Sequence, residues 1–209
     1  MSQMTTPEEL FEHELQDIYY AEKTIAQMLP TLAREATSNA LSRAFETHLK
    51  ETRGQIDNLE RVFSELGKRA KGEKCPGIEG LKEEHDKFMK EETPSADIRD
   101  LFLTGAAART EHYEIAAYTG LVAQARALGE TDAAKLLSEN LKQEKEALKK
   151  VETISKDLLK NGKANGSTAS ASRSKKARST TAKRGSSAPR RSSRTGPSRS
   201  SGSTGRTSR

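Results

Sequence analysis

The sequence predicts an all-α protein: a four-helix bundle of two helical hairpins joined by a long crossover that carries a short helix, followed by a disordered tail. Three observations predict it. Residues 1–160 are dominated by Ala, Glu, Lys and Leu, the composition of a helical bundle. Apolar residues recur there in alternating steps of four and three, which marks one face of a helix. From Asn161 to Arg209 there are 13 Lys+Arg, no Asp or Glu, and no Leu, Ile, Val, Met or aromatic residue. Such a segment cannot bury enough apolar surface to offset its ordering entropy. The formal net charge of +6 is therefore a sum of opposites. Residues 1–160 hold 23 basic against 30 acidic groups, and residues 161–209 carry +13. The first segment has the size of one domain.

Thr6-Pro7-Glu8-Glu9 opens helix 1: Thr6 caps, Pro7 suits the first helical position, and Glu9 completes a capping box. The seam Phe11, Leu15, Ile18, Glu22, Ile25, Leu29, Leu32 carries the helix to about Ala36, with a kink or break expected near Leu29 because Pro30 follows. Ser38 or Asn39 caps helix 2, whose seam is Leu41, Phe45, His48, Thr52, Gln55, Leu59, Val62, Leu66 and which ends at Gly67. A Lys/Gly-rich loop leads through Cys75-Pro76-Gly77 into a short amphipathic piece, about Ile78 to Glu92. Thr93-Pro94-Ser95 starts helix 3, with the seam Leu101, Thr104, Ala108, Glu111, Ile115, Tyr118, Val122. Thr131 or Asp132 caps helix 4, with the seam Leu137, Leu141, Glu144, Leu148, Val151, Leu158. The link between helices 2 and 3 is much longer than the links within the hairpins. A long crossover lets helices 2 and 3 run parallel, as in the ferritin-like variant of the bundle.

Carboxylates interrupt these seams. Glu22, Glu111 and Glu144 stand at core-facing positions near the middle of their helices, and helix 2 brings His48 and Glu51 to the same level. Glu114 lies one turn past Glu111. Burying an unpaired carboxylate costs several kcal/mol, so such groups are protonated, paired with a base or bound to a metal. Few Lys or Arg stand on the seams, which favours a cation: a dinuclear iron or manganese site with hard oxygen ligands from four helices and one imidazole. Two other arrangements fit the same residues. A seam misread by one position puts a Glu at a solvated edge, and a metal-free hydrogen-bonded network would engage Tyr19, Tyr20, Thr52, Gln55 and Tyr118. His112 is expected to pack beside the site, His13 and His85 to lie on the surface, and Cys75 to be an ordinary loop cysteine.

Several classes are excluded. No run of 18 apolar residues exists for a transmembrane helix. The N-terminus lacks a basic-then-apolar secretion signal, so a cytoplasmic location is expected. One cysteine rules out an intramolecular disulfide framework and a Cys-rich zinc site.

Separated motifs resemble the YciE/YciF family of ferritin-like stress proteins: Glu12 to Leu15 running on through Asp17-Ile18-Tyr19-Tyr20-Ala21-Glu22-Lys23; His48-Leu49-Lys50-Glu51-Thr52; Lys74-Cys75-Pro76-Gly77-Ile78-Glu79-Gly80-Leu81; Glu111-His112-Tyr113-Glu114-Ile115-Ala116-Ala117-Tyr118; and Glu144-Lys145-Glu146. The resemblance spans about residues 5–160. The resemblance implies a ferritin-like fold close to rubrerythrin, a homodimer and a link to bacterial stress responses, and it gives fold more firmly than activity. The carboxylate-rich site itself is expected to oxidise iron or consume peroxide, with a non-enzymatic dimeric scaffold as the alternative. Glu111-x-x-Glu114 is similar to the carboxylate pair of rubrerythrins. Ferritin-like di-iron proteins usually carry Glu-x-x-His on helices 2 and 4, whereas here Gly54 and Ala147 stand at those offsets and the imidazole comes earlier, at His48.

In the basic segment, Arg173, Lys175, Lys176, Arg178, Lys183, Arg184, Arg190, Arg191 and Arg194 lie among Ser, Thr, Gly and Ala. Charges spread on a polar chain bind phosphates by counterion release with little sequence selectivity. The segment is expected to bind nucleic acid nonspecifically and to favour association with the nucleoid. A solubilising tail or general polyanion binder is the alternative. No apolar anchor accompanies the charges, so no membrane partner is expected.

Overall fold

A computed structural model describes residues 4–181, and side chains through residue 161. The chain divides into two units, Met1–Gly166 and Ser167–Arg209; the bundle lies in the first. Among the described residues there are five helices and no strand: α1 (Pro7–Glu35), α2 (Asn39–Glu65), α3 (Pro76–Glu91), α4 (Ala96–Ala127) and α5 (Thr131–Thr181). The short α3 is the crossover helix, so α4 and α5 are helices 3 and 4 of the sequence reading. All nine cations named in the basic segment have side chains outside the described residues.

Helix ends follow local chemistry. At Thr6 the capping box is complete: Glu9 N–H donates to Thr6 Oγ1 at 3.2 Å, and Thr6 N–H donates to the Glu9 carboxylate at 3.1 Å. Ser38 caps α2. Cys75 caps α3 with Pro76 at the first position, and its Sγ accepts from Ile78 N–H at 3.5 Å. Helices α2 and α4 stop at Gly67 (φ 67°) and Gly129 (φ 81°), left-handed positions that favour glycine. There Lys68 N–H reaches back to Phe63 O and Glu130 N–H to Ala125 O, closing Schellman turns.

The break expected near Leu29 and the cap expected at the start of the last helix are corrected here. Helix α1 continues without interruption through Pro30. Proline costs the Ala26 carbonyl its helical donor, but Ile25 and Leu29 are buried in the core before it and Leu32 packs against the core after it. Helix α5 begins at Thr131, which places Thr131 and Asp132 in its first turn rather than at its cap.

Cross-helix bonds give the topology. Tyr19 OH donates to Glu60 at 2.7 Å and Ser42 Oγ to Ala33 O at 2.8 Å, so α1 and α2 are antiparallel. Asp100 at the start of α4 meets the end of α1, and Tyr118 near the end of α4 meets Glu22 in mid-α1, so α1 and α4 are antiparallel too. Helices α2 and α4 are therefore parallel, which the long crossover permits. Gln55–Glu144 and Asn58–Asn140 contacts set α5 antiparallel to α2. The core is the inner stripe of the four long helices, with Phe11, Leu15, Ile18, Leu41, Leu59, Phe63, Leu103, Leu121 and Leu137 nearly free of solvent.

The α4 seam is wider than its sequence period indicates. Asp100, Leu103, Thr104, Ala107, Glu111, Glu114, Tyr118, Leu121, Val122 and Ala125 are buried, whereas Leu101, Ala108 and Ile115 are only half-buried. Helix α4 packs against the crossover as well as the bundle: Phe102 stacks on Phe88 of α3 with centroids 3.6 Å apart.

Candidate metal centre

Each long helix contributes to one buried level. Glu22 comes from α1, His48 from α2, Glu111 and Glu114 from α4, and Glu144 from α5; all five are buried. Successive turns of α4 place Glu111 and Glu114 on one inward face. One ligand atom from each of His48, Glu111, Glu114 and Glu144 lies within 4.8 Å of all the others. His48 Nε2 is 3.4 Å from Glu111 and 3.9 Å from Glu144. These are close approaches and not hydrogen bonds, because both His48 nitrogens lack a hydrogen-bond partner.

The carboxylates carry more acceptor capacity than the protein satisfies. Both Glu114 oxygens are unpartnered, as are Glu22 Oε2, Glu111 Oε2 and Glu144 Oε2. Single bonds orient two of them: Tyr118 OH donates to Glu22, and Gln55 Nε2 donates to Glu144. Asn140 Nδ2 donates to the Tyr118 hydroxyl at 3.1 Å and to the backbone carbonyl of Gln55 at 3.2 Å. Among the described residues no Lys or Arg pairs with any of these four glutamates. Burial, followed by the charge of Glu144, pushes the Glu22 and Glu114 carboxyls well above the usual carboxylate range. Burial and the adjoining Glu144 do the same to Glu111. The Tyr118 hydroxyl is pushed up by burial and by Glu22.

Such a group needs protons or a cation to be stable. Unpartnered buried oxygens beside an imidazole form a hard donor set that fits a divalent cation. His48, Glu111, Glu114 and Glu144 form a group that could hold a metal ion.

The structure brings together four of the six expected ligands. Glu22 stands beside them, fully buried but tied to Tyr118. Glu51 sits at the solvent edge, 38% exposed, with its carboxylate 3.6 Å from His48 Nδ1. Gly54 is exposed, so the usual Glu-x-x-His register of this helix points out of the core, and His48 and Gln55 occupy the inward turns instead. Ala147 is buried where a histidine would stand on α5.

Of the residues expected in a hydrogen-bonded network, Gln55 and Tyr118 join the site, while Tyr19 and Tyr20 bond outward to Glu60 and Glu79. Thr52 is buried with an unpartnered hydroxyl. His112 is exposed rather than packed. His13 is on the surface as expected, 44% exposed. His85, expected on the surface, is buried against Glu35 at 2.8 Å and Asp86 at 3.0 Å. Cys75 is buried and in contact with Tyr113 OH, which donates to Asp17 at 2.7 Å. Asn140 and Asp100 were missed. Asn140 is legible in retrospect, one turn before Glu144 and three residues after Leu137.

Residues 6–164 match a family described as a domain of unknown function, DUF892. The chain is 45% identical over 143 residues to Protein YciF of Escherichia coli strain K12, a match covering 68% of this chain and 86% of that one. The crystal structure of the E. coli stress protein YciF superposes with a TM-score of 0.72 at 41% identity, over 75% of this chain and 99% of that one. YcfI from Rhodopseudomonas palustris gives a TM-score of 0.70 at 40% identity, over 72% and 96%. With its helical order, its carboxylate-bearing core and this similarity along most of the bundle, the chain belongs to the DUF892 family and is a homologue of YciF.

Proposed function

We propose that the protein is a ferritin-like metal protein of the bacterial stress response, holding iron or manganese in the core of its bundle. The observation that carries this reading is the convergence of His48, Glu111, Glu114 and Glu144 with unpartnered oxygens and, among the described residues, no Lys or Arg paired with them. Glu22 adds a fully buried carboxylate from α1 and extends the reading from one ion to a dinuclear site. Iron held there would supply redox chemistry for iron oxidation or peroxide consumption. The chain's own residues do the positioning. Tyr118 and Gln55 orient Glu22 and Glu144, Asn140 holds the Tyr118 hydroxyl and the Gln55 backbone, and half-exposed Glu51 stands beside His48.

Elemental analysis after anaerobic loading tests the reading. The wild type is expected to retain iron or manganese through gel filtration, and Glu144→Gln to lose it. A wild type that retains neither metal would overturn it.

A second reading rests on the charge partition. The basic segment would bind nucleic acid through phosphate contacts, as a scaffold function of a homodimer or together with the metal site. It would place the protein at the nucleoid. The relevant comparison is DNA retention by the full chain and by residues 1–160 across a salt series, with light scattering for the oligomeric state. Equal retention by both chains would reject a role for the tail.

A further inference from the structure

A cavity opens between α1, α2, α3 and α4 with a volume of about 30 Å³, room for one small molecule. His48 and Glu111, two members of the group that could hold a metal ion, line it. Its walls include Leu29, Phe45, Ile78 and Leu81. Thr110 offers no free donor there, because its hydroxyl donates to the Ala106 carbonyl at 3.2 Å.

A second, more open hollow of about 310 Å³ adjoins it, lined in part by Thr24, Gln27, Thr31, Lys82 and Asp86. The two hollows share three residues, Met28, Leu32 and His85. His85 is braced as a fixed post. Its ring bonds Glu35 and Asp86 and stacks on Phe102 at 6.4 Å. Met28 and Leu32, from α1, are half-buried.

We infer that Met28, Leu32 and His85 form the neck of a passage from solvent to the His48–Glu111 face of the centre, admitting small uncharged molecules of the size of dioxygen. The delivery end of this inference rests on the metal reading. The apolar wall sets the selectivity. A hydrated cation entering there would shed its water shell against leucine, isoleucine and phenylalanine, at a cost of many kcal/mol. An uncharged diatomic has no such shell to lose. The crossover helix α3 supplies Ile78, Leu81 and His85, so it forms one wall of the passage as well as linking the hairpins.

The test uses dissolved dioxygen as a paramagnetic probe of the full-length, metal-free protein. Methyl groups of Leu29, Ile78 and Leu81 are expected to relax several-fold faster than those of Leu59, Val62 and Leu137, which lie deep in the core away from the cavity. Ala106→Phe and Leu81→Trp, two independent plugs, should abolish the difference at Leu29 and Ile78. In protein loaded with ferrous iron, either plug should slow nitric oxide binding by about tenfold without changing iron content. Uniform relaxation of all buried methyl groups in the wild type would overturn the passage, as would unchanged nitric oxide binding in both folded plug variants. If no iron is retained, the metal reading fails alone and the relaxation pattern still decides the passage.

Discussion

Glu114 has two oxygens, both buried and both without a partner. In the metal-free protein its carboxyl is held well above its ordinary range, first by burial and then by Glu144 and Glu22. A carboxyl whose folded pKa is raised binds its proton more tightly in the folded chain than in the unfolded one. Its contribution to stability is full below the unfolded value of 4.5 and is lost as pH rises toward the folded value. Glu114→Gln removes that loss. In chelator at pH 7 it should raise unfolding free energy by about 1–3 kcal/mol in urea titrations and abolish stabilisation by added metal. Asp100, by contrast, has hydrogen-bond partners on both oxygens. Its carboxylate accepts from Thr37 N–H at 2.8 Å, Thr37 Oγ1 at 2.7 Å and Ser38 N–H at 2.7 Å, fastening α4 to the turn between α1 and α2. Asp100→Ala strands two backbone donors and should cost about 2–4 kcal/mol in the same titration.

At the scale of elements, glycine separates helix ends from helix interiors. Gly67 has φ 67° and closes α2, so Gly67→Ala should destabilise by about 1 kcal/mol. Gly54 lies inside α2, where an added Cβ meets nothing within 4 Å. Gly54→Ala should therefore stabilise by about 0.5–1 kcal/mol, and thermal melts of the pair should shift in opposite directions. The same helices show how much the sequence made legible. In α1 and α2 one face meets the core, and the period placed Glu22, His48 and Gln55 correctly. In α4 the period was diluted because two faces are covered, one by the bundle and one by α3. Leu101 and Ile115 looked central there, while Leu103, Ala107 and Asp100 were the buried residues. Asp100 and His85 depend on partners 63 and 50 residues away. No local pattern announces such pairs. Glu51 was placed among the ligands by its level on α2, but 3.6 residues per turn carry it round to the solvent edge.

At the scale of the whole molecule, an acidic bundle carries a segment of opposite charge, and the two are proposed to do separate work. No helix among the described residues is long and apolar enough to cross a membrane. Removing residues 161–209 should weaken DNA retention at least tenfold at moderate salt and flatten its salt dependence, while leaving metal content unchanged. The bundle's acidity has its own local consequence: Glu22, Glu111, Glu114 and Glu144 face inward, where their charge must be neutralised. Anomalous scattering above and below the iron and manganese absorption edges, from crystals of anaerobically loaded protein, tests that most directly. An anomalous peak enclosed by His48, Glu111, Glu114 and Glu144 is expected, and it should be absent in Glu144→Gln crystals. Loaded wild-type crystals with no peak among these residues would contradict it.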